Sequence, residues 1–84
     1  MDYRTEAPDI IKGFLTYHET IKGHSRKTVD EYYLDLRNFF RFLKIQRGIV
    51  PRNTELEDIA ISDIDLNFVK SVTVTEAYEY LSFM

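Results

Sequence analysis

The sequence predicts an all-α fold, a small four-helix bundle, and three observations carry that expectation. Apolar residues recur at the three-, four- and seven-residue intervals of a helical face rather than in the alternation of a strand. Residues that start and stop helices bracket those stretches. The chain has 84 residues, a length that suits one domain over 1–84 with an economical core, and its six Phe and six Tyr supply the bulk.

The first helix is expected over about 8–22, where Ile10, Ile11, Phe14, Leu15, His18 and Ile21 share one face. Pro8 suits its first turn, Asp9 suits the positive end of the dipole, and Gly23 offers a left-handed stop. Ser25 is placed to cap the second helix, expected over about 26–46. Its stripe is Val29, Tyr32, Tyr33, Leu36, Phe39, Phe40 and Leu43, with Arg37, Arg41 and Lys44 aligned on the opposite face. Gly48 and Pro51 end the pattern, and Arg47 to Ser62 reads as a long loop anchored by Ile59 and Ile61. Ile64, Phe68 and Val69 indicate a short third helix over about 64–71. Thr73 with Glu76 matches the reciprocal capping box of a fourth, over about 74–84, whose face is Val74, Ala77, Tyr78 and Leu81. A chain that closes inside an amphipathic helix, on Phe83 and Met84, reads as cut from something longer.

The net charge of -3 conceals an asymmetry. From Lys22 to Arg47 there are seven basic residues and three acids, whereas the remainder holds 4 basic and 11 acidic residues. Such segregation makes an anion-binding face plausible in an acidic chain. With no cysteine, neither a disulfide framework nor a Cys-based zinc site is available, and no apolar run approaches the roughly 20 residues of a membrane span. Residues 1–8 have neither the basic start nor the apolar stretch of a secretory signal, so a cytoplasmic location is expected.

Catalytic readings are weak. His24 and Ser25 are sequence neighbours in a turn, which rarely align as base and nucleophile. His18 lies on an apolar stripe and reads as a packing residue, and the acids Glu55, Glu57, Asp58, Asp63 and Asp65 lack the spacing of a calcium loop. Solvated surface or helix-starting charge is the role expected of these acids. Leu36, Phe39, Phe40 and Leu43 read as core. Tyr32 or Tyr33 could bury a ring while its hydroxyl reaches a phosphate. The basic residues of the second helix have two readings, a solvated surface with local ion pairs or a nucleic-acid contact. Ser25, Arg26, Lys27 and Thr28 favour the second, since they set two cations and two hydroxyls around free N–H groups.

The ordered set Phe14, Leu15, Tyr17, then Lys22, Gly23, Ser25, Thr28, Tyr32, Asp35, Leu36, Phe39, Phe42 and Leu43, resembles the N-terminal core-binding, or SAM-like, domain of tyrosine recombinases, the phage-integrase family. Val72, Thr73, Glu76, Ala77, Tyr80 and Leu81 resemble its second half, so the likeness covers nearly the whole chain. The resemblance implies a four-helix module that closes, with a separate C-terminal catalytic domain of the same parent chain, around duplex DNA at a recombination core site. It implies that the module does no chemistry, that the catalytic residues lie in the other domain, and that no cofactor, metal, membrane or small-molecule ligand is needed. Other recombinase protomers are implied partners on DNA.

Carried onto this sequence, the DNA-binding candidates are Ser25, Arg26, Lys27, Thr28, Tyr32, Arg37, Arg41 and Lys44. Glu76 and Glu79 make DNA contact by the start of the fourth helix doubtful, and the half-acidic loop 47–62 is expected to point away from DNA. The alternative reading is a protein-interaction module that docks a partner through the fourth helix, using Tyr78, Leu81 and Met84.

Overall fold

In the computed structural model, residues 7–83 are described, and the elements run α1 (Asp9–Thr20), α2 (Arg26–Gln46), a single 3₁₀ turn (Leu56–Asp58), α3 (Leu66–Lys70) and α4 (Val74–Phe83). No strand occurs among the described residues, so the all-α bundle expected from periodicity is the fold observed. Met84, expected to continue the fourth helix, lies outside the described residues.

Local chemistry sets the helix boundaries. Pro8 is the residue before α1 rather than its first, and its extended carbonyl accepts from the N–H groups of Ile11 and Lys12, both at 3.0 Å. At the other end, Lys22 N–H reaches back to the Tyr17 carbonyl and His24 N–H to that of His18, with Gly23 at φ +70° between them. The chain therefore leaves the helix two residues earlier than the apolar pattern indicated. Ser25 caps α2 as expected, its Oγ accepting from Thr28 N–H at 3.2 Å. Gly48 closes α2 in a Schellman turn: its N–H donates to the Ile45 carbonyl, that of Ile49 donates to Lys44, and φ is +73°.

α3 begins two residues later than expected because Asp65, not Ile64, makes the start, accepting from Phe68 N–H at 2.8 Å. Thr73 and Glu76 form the reciprocal box that opens α4, Thr73 N–H donating to Glu76 Oε1 at 2.9 Å and Glu76 N–H to Thr73 Oγ1 at 3.1 Å.

The core forms around α2, with α1 packed along part of it. Leu15, Tyr33 and Leu43 are wholly excluded from solvent, and Val29, Ile11 and Phe40 surround them. Burying an aliphatic or aromatic side chain of this size stabilises by about 1.5–3 kcal/mol. The loop after α2 adds Ile61 and Ile64 to this cluster and buries Ile59 beside it, as the anchoring role predicted for Ile59 and Ile61 requires. Leu36 and Phe39, expected in the core, are only half-buried, whereas Tyr33 and Phe42 are buried. Phe42 owes its burial to α4, whose Tyr80 and Phe83 rings stand 5.3 and 5.1 Å from it.

Candidate nucleic-acid interface

The corner between α1 and α2 gathers the first half of the expected site. Ser25, Arg26 and Lys27 are exposed at the N-terminal turn of α2 and Thr28 is half-buried there, with exposed Lys22 just before them. Ser25 Oγ donates to Thr28 Oγ1 at 3.0 Å besides accepting from Thr28 N–H, so the hydroxyl serves the cap rather than His24. A 21-residue helix presents its positive end at this point, and Lys22, Arg26 and Lys27 add full charges to it. Together these groups favour an anion.

Tyr32, one turn beyond Thr28, sits half-buried in an aromatic cluster that joins the two helices. Its ring centroid lies 6.5 Å from Phe14, 5.5 Å from His18 and 5.7 Å from His24. His18 and His24 are themselves 5.2 Å apart, and His18 also packs on Phe14 at 4.4 Å. The packing role expected of His18 is the one observed. Among the described residues no group of three or more His, Cys, Asp or Glu side chains is placed to hold a metal ion.

The second half of the expected site is arranged differently from the sequence reading. At about 100° per residue, Arg26, Tyr33, Arg37, Arg41 and Lys44 fall in one sector roughly 80° wide. That sector borders the apolar stripe rather than opposing it, because wholly buried Tyr33 belongs to it. The segment 59–63 lies over its C-terminal part. Arg41 is buried, with Nε donating to the Ile59 carbonyl at 3.0 Å. Lys44 is buried as well, and Nζ donates to the Ala60 carbonyl and to Asp63 Oδ1, each at 2.6 Å. Arg37 is half-buried with its guanidinium 5.5 Å from the Tyr33 ring centroid. The expected open row of Arg37, Arg41 and Lys44 is thus corrected for its last two members, which hold a loop in place.

The side of α2 that does face solvent carries Glu31, Asp35, Asn38 and Gln46. Exposed positive charge on this helix is therefore concentrated in its first turn.

Two ion pairs shape the charge elsewhere. The Lys44 ammonium beside it holds the Asp63 carboxyl below the usual range, against a smaller opposing effect of burial. Arg47, at the end of α2, grips Glu76 with Nε to Oε2 at 2.7 Å and Nη2 to Oε1 at 2.8 Å. That bidentate contact, helped by the Thr73 N–H, lowers the Glu76 carboxyl to about 2 and raises the Arg47 guanidinium. Arg47 also donates to Ser71 Oγ at 2.8 Å and stacks 4.8 Å from the Phe68 ring centroid, so one side chain joins α2, α3 and α4. In the sequence Arg47 is legible only as charge. The Thr73–Glu76 box was visible, but its use of Glu76 by a residue 29 positions upstream was not.

No helix among the described residues is long and apolar enough to cross a membrane. No family model matches the chain and no solved structure matches it. A curated relative does: the protein named Tyrosine recombinase XerC, from Caldanaerobacter subterraneus subsp. tengcongensis, is 43% identical over 77 residues, 92% of this chain. The chain spans 22% of that relative's length. Identity at this level over nearly every element described above bears out the resemblance read from the ordered residues: the chain is related in sequence to a segment of a tyrosine recombinase.

Proposed function

We propose that this chain is the part of a tyrosine recombinase that positions duplex DNA at the recombination core site, with strand breakage and rejoining performed by a catalytic domain elsewhere in the parent chain. The observation that carries the reading is the exposed cluster of Lys22, Ser25, Arg26 and Lys27 at the positive end of α2, within a segment matched to a recombinase. In this reading the phosphate backbone sits at the corner of α1 and α2. Thr28 and Tyr32 flank the contact, Arg37 continues the same sector, and Arg41 and Lys44 support it from beneath by fixing the loop 59–63.

Phosphate contacts position the duplex and base contacts are limited, so binding is expected to be weak and salt-dependent. Neutralising about three phosphates implies a roughly 40-fold loss of affinity between 50 and 200 mM salt. The test is fluorescence anisotropy of labelled duplex DNA with the wild type and with the double variant Arg26→Glu, Lys27→Glu. Acidic residues suit a helix N-terminus, so the variant keeps its fold, and its affinity and salt slope should both fall. Unchanged affinity in a folded double variant would sink the assignment.

A second reading is favoured by the outward side of α4, where Val74, Tyr78 and Leu81 are 70%, 66% and 63% exposed. It assigns the chain to protein interaction through that helix. Following backbone amide shifts during a DNA titration separates the two, because movement confined to residues 72–83 supports the interaction reading.

A further inference from the structure

α4 is held to the body without a fully buried side chain. α1 places Ile11 and Leu15 in the core and α2 places Val29, Tyr33, Phe40 and Leu43 there, whereas no residue of α4 is buried. Its attachments concentrate toward its two ends. At the first turn, Glu76 takes the bidentate contact from Arg47. In the C-terminal half, the Tyr80 ring stands 5.2 Å from Phe39 and 5.3 Å from Phe42, Phe83 packs on Phe42, and Glu79 accepts from Gln46 at 2.8 Å.

We propose that α4 is a hinged clip that opens from the α1–α3 body as a unit about the Val72–Thr73 link, with the Arg47–Glu76 ion pair as the latch that sets how often it opens. The division of bonds around Glu76 makes this possible. Its capping-box bonds with Thr73 are internal to the start of α4 and travel with the helix; its bonds to Arg47 cross to the body and break. Neither charge is stranded by opening. Arg47 keeps Ser71 Oγ, the Ser71 carbonyl and the Phe68 face, and Glu76 gains water. The aromatic clasp is non-directional and separates without leaving an unpaired polar group. Release would uncover Phe39 and Phe42 on α2, the rings against which Tyr80 and Phe83 stand.

Native-state hydrogen exchange followed by NMR on the 84-residue chain tests the clip. In the wild type, the amides of residues 78–83 should exchange at least tenfold faster than those of residues 33–43, through an opening that leaves the latter protected. Glu76→Gln removes the charge but still serves the capping box. It should speed exchange across residues 78–83 by roughly a further tenfold, from the loss of a charge-assisted contact, with residues 33–43 unaltered. Exchange of α4 in step with α2 in the wild type would overturn the proposal. So would a Glu76→Gln variant that accelerates every helix alike, leaves α4 unchanged, or fails to fold, because a latch on one helix leaves the core intact.

Discussion

Replacing Lys44 by Met isolates what the buried cation contributes. The side chain is 7% exposed and its ammonium donates to the Ala60 carbonyl and to Asp63 Oδ1, both at 2.6 Å. Methionine keeps most of the apolar stem, so packing is largely retained and the ammonium is what disappears. Breaking a fully buried ion pair costs about 3–5 kcal/mol, chiefly because the abandoned charge stays in the interior. Here the abandoned group is Asp63, 71% exposed, which water takes over at little cost. What is left is the loss of hydrogen bonds from a charged donor, so the expected destabilisation is about 1–2 kcal/mol. Urea unfolding followed by helical circular dichroism at neutral pH measures it. Lys27→Met, at an exposed position of the same helix, is the control and should stay within about 0.5 kcal/mol of wild type. A Lys44→Met protein that unfolds at the wild-type midpoint would refute the structural role. Loss of DNA affinity without loss of stability would return Lys44 to the interface.

Acidification provides a second check. The Glu76 carboxyl is lowered to about 2 from an ordinary 4.5, so its stabilising contribution is complete above the ordinary value and disappears as pH falls through the lower one. Thermal midpoints measured across that window should decline in the wild type, and Glu76→Gln should flatten the decline. Gly48→Ala tests the end of α2: an added Cβ meets nothing within 4 Å, so the cost is the left-handed backbone at φ +73° alone. That is about 1–2 kcal/mol, and calorimetry should show a fall in Tm of roughly 5–10 °C.

The features legible from sequence are those governed by near neighbours. Ser25 caps α2, Thr73 and Glu76 form their box, and Gly23 takes a left-handed conformation, each through bonds within a few residues. Less legible was the fate of charges. Arg41 and Lys44 bond to groups 18, 16 and 19 positions away, in a segment without helical periodicity whose path no local pattern specifies. Helical spacing tells which side chains share a sector, but not what lies over it.

Period and capping residues by themselves determined four helices and their approximate limits, because amphipathic faces and terminal N–H groups are satisfied locally, and the resemblance to tyrosine recombinases rested on an ordered set of residues along those helices. Tertiary structure alone decided how the positive charge of α2 is divided. It left Arg26 and Lys27 in solvent at the first turn and placed Arg41 and Lys44 under the loop. The physical reason is that a long cationic side chain beside a buried tyrosine can either hydrate or donate to a covering backbone, and only the approach of the 59–63 segment selects between them.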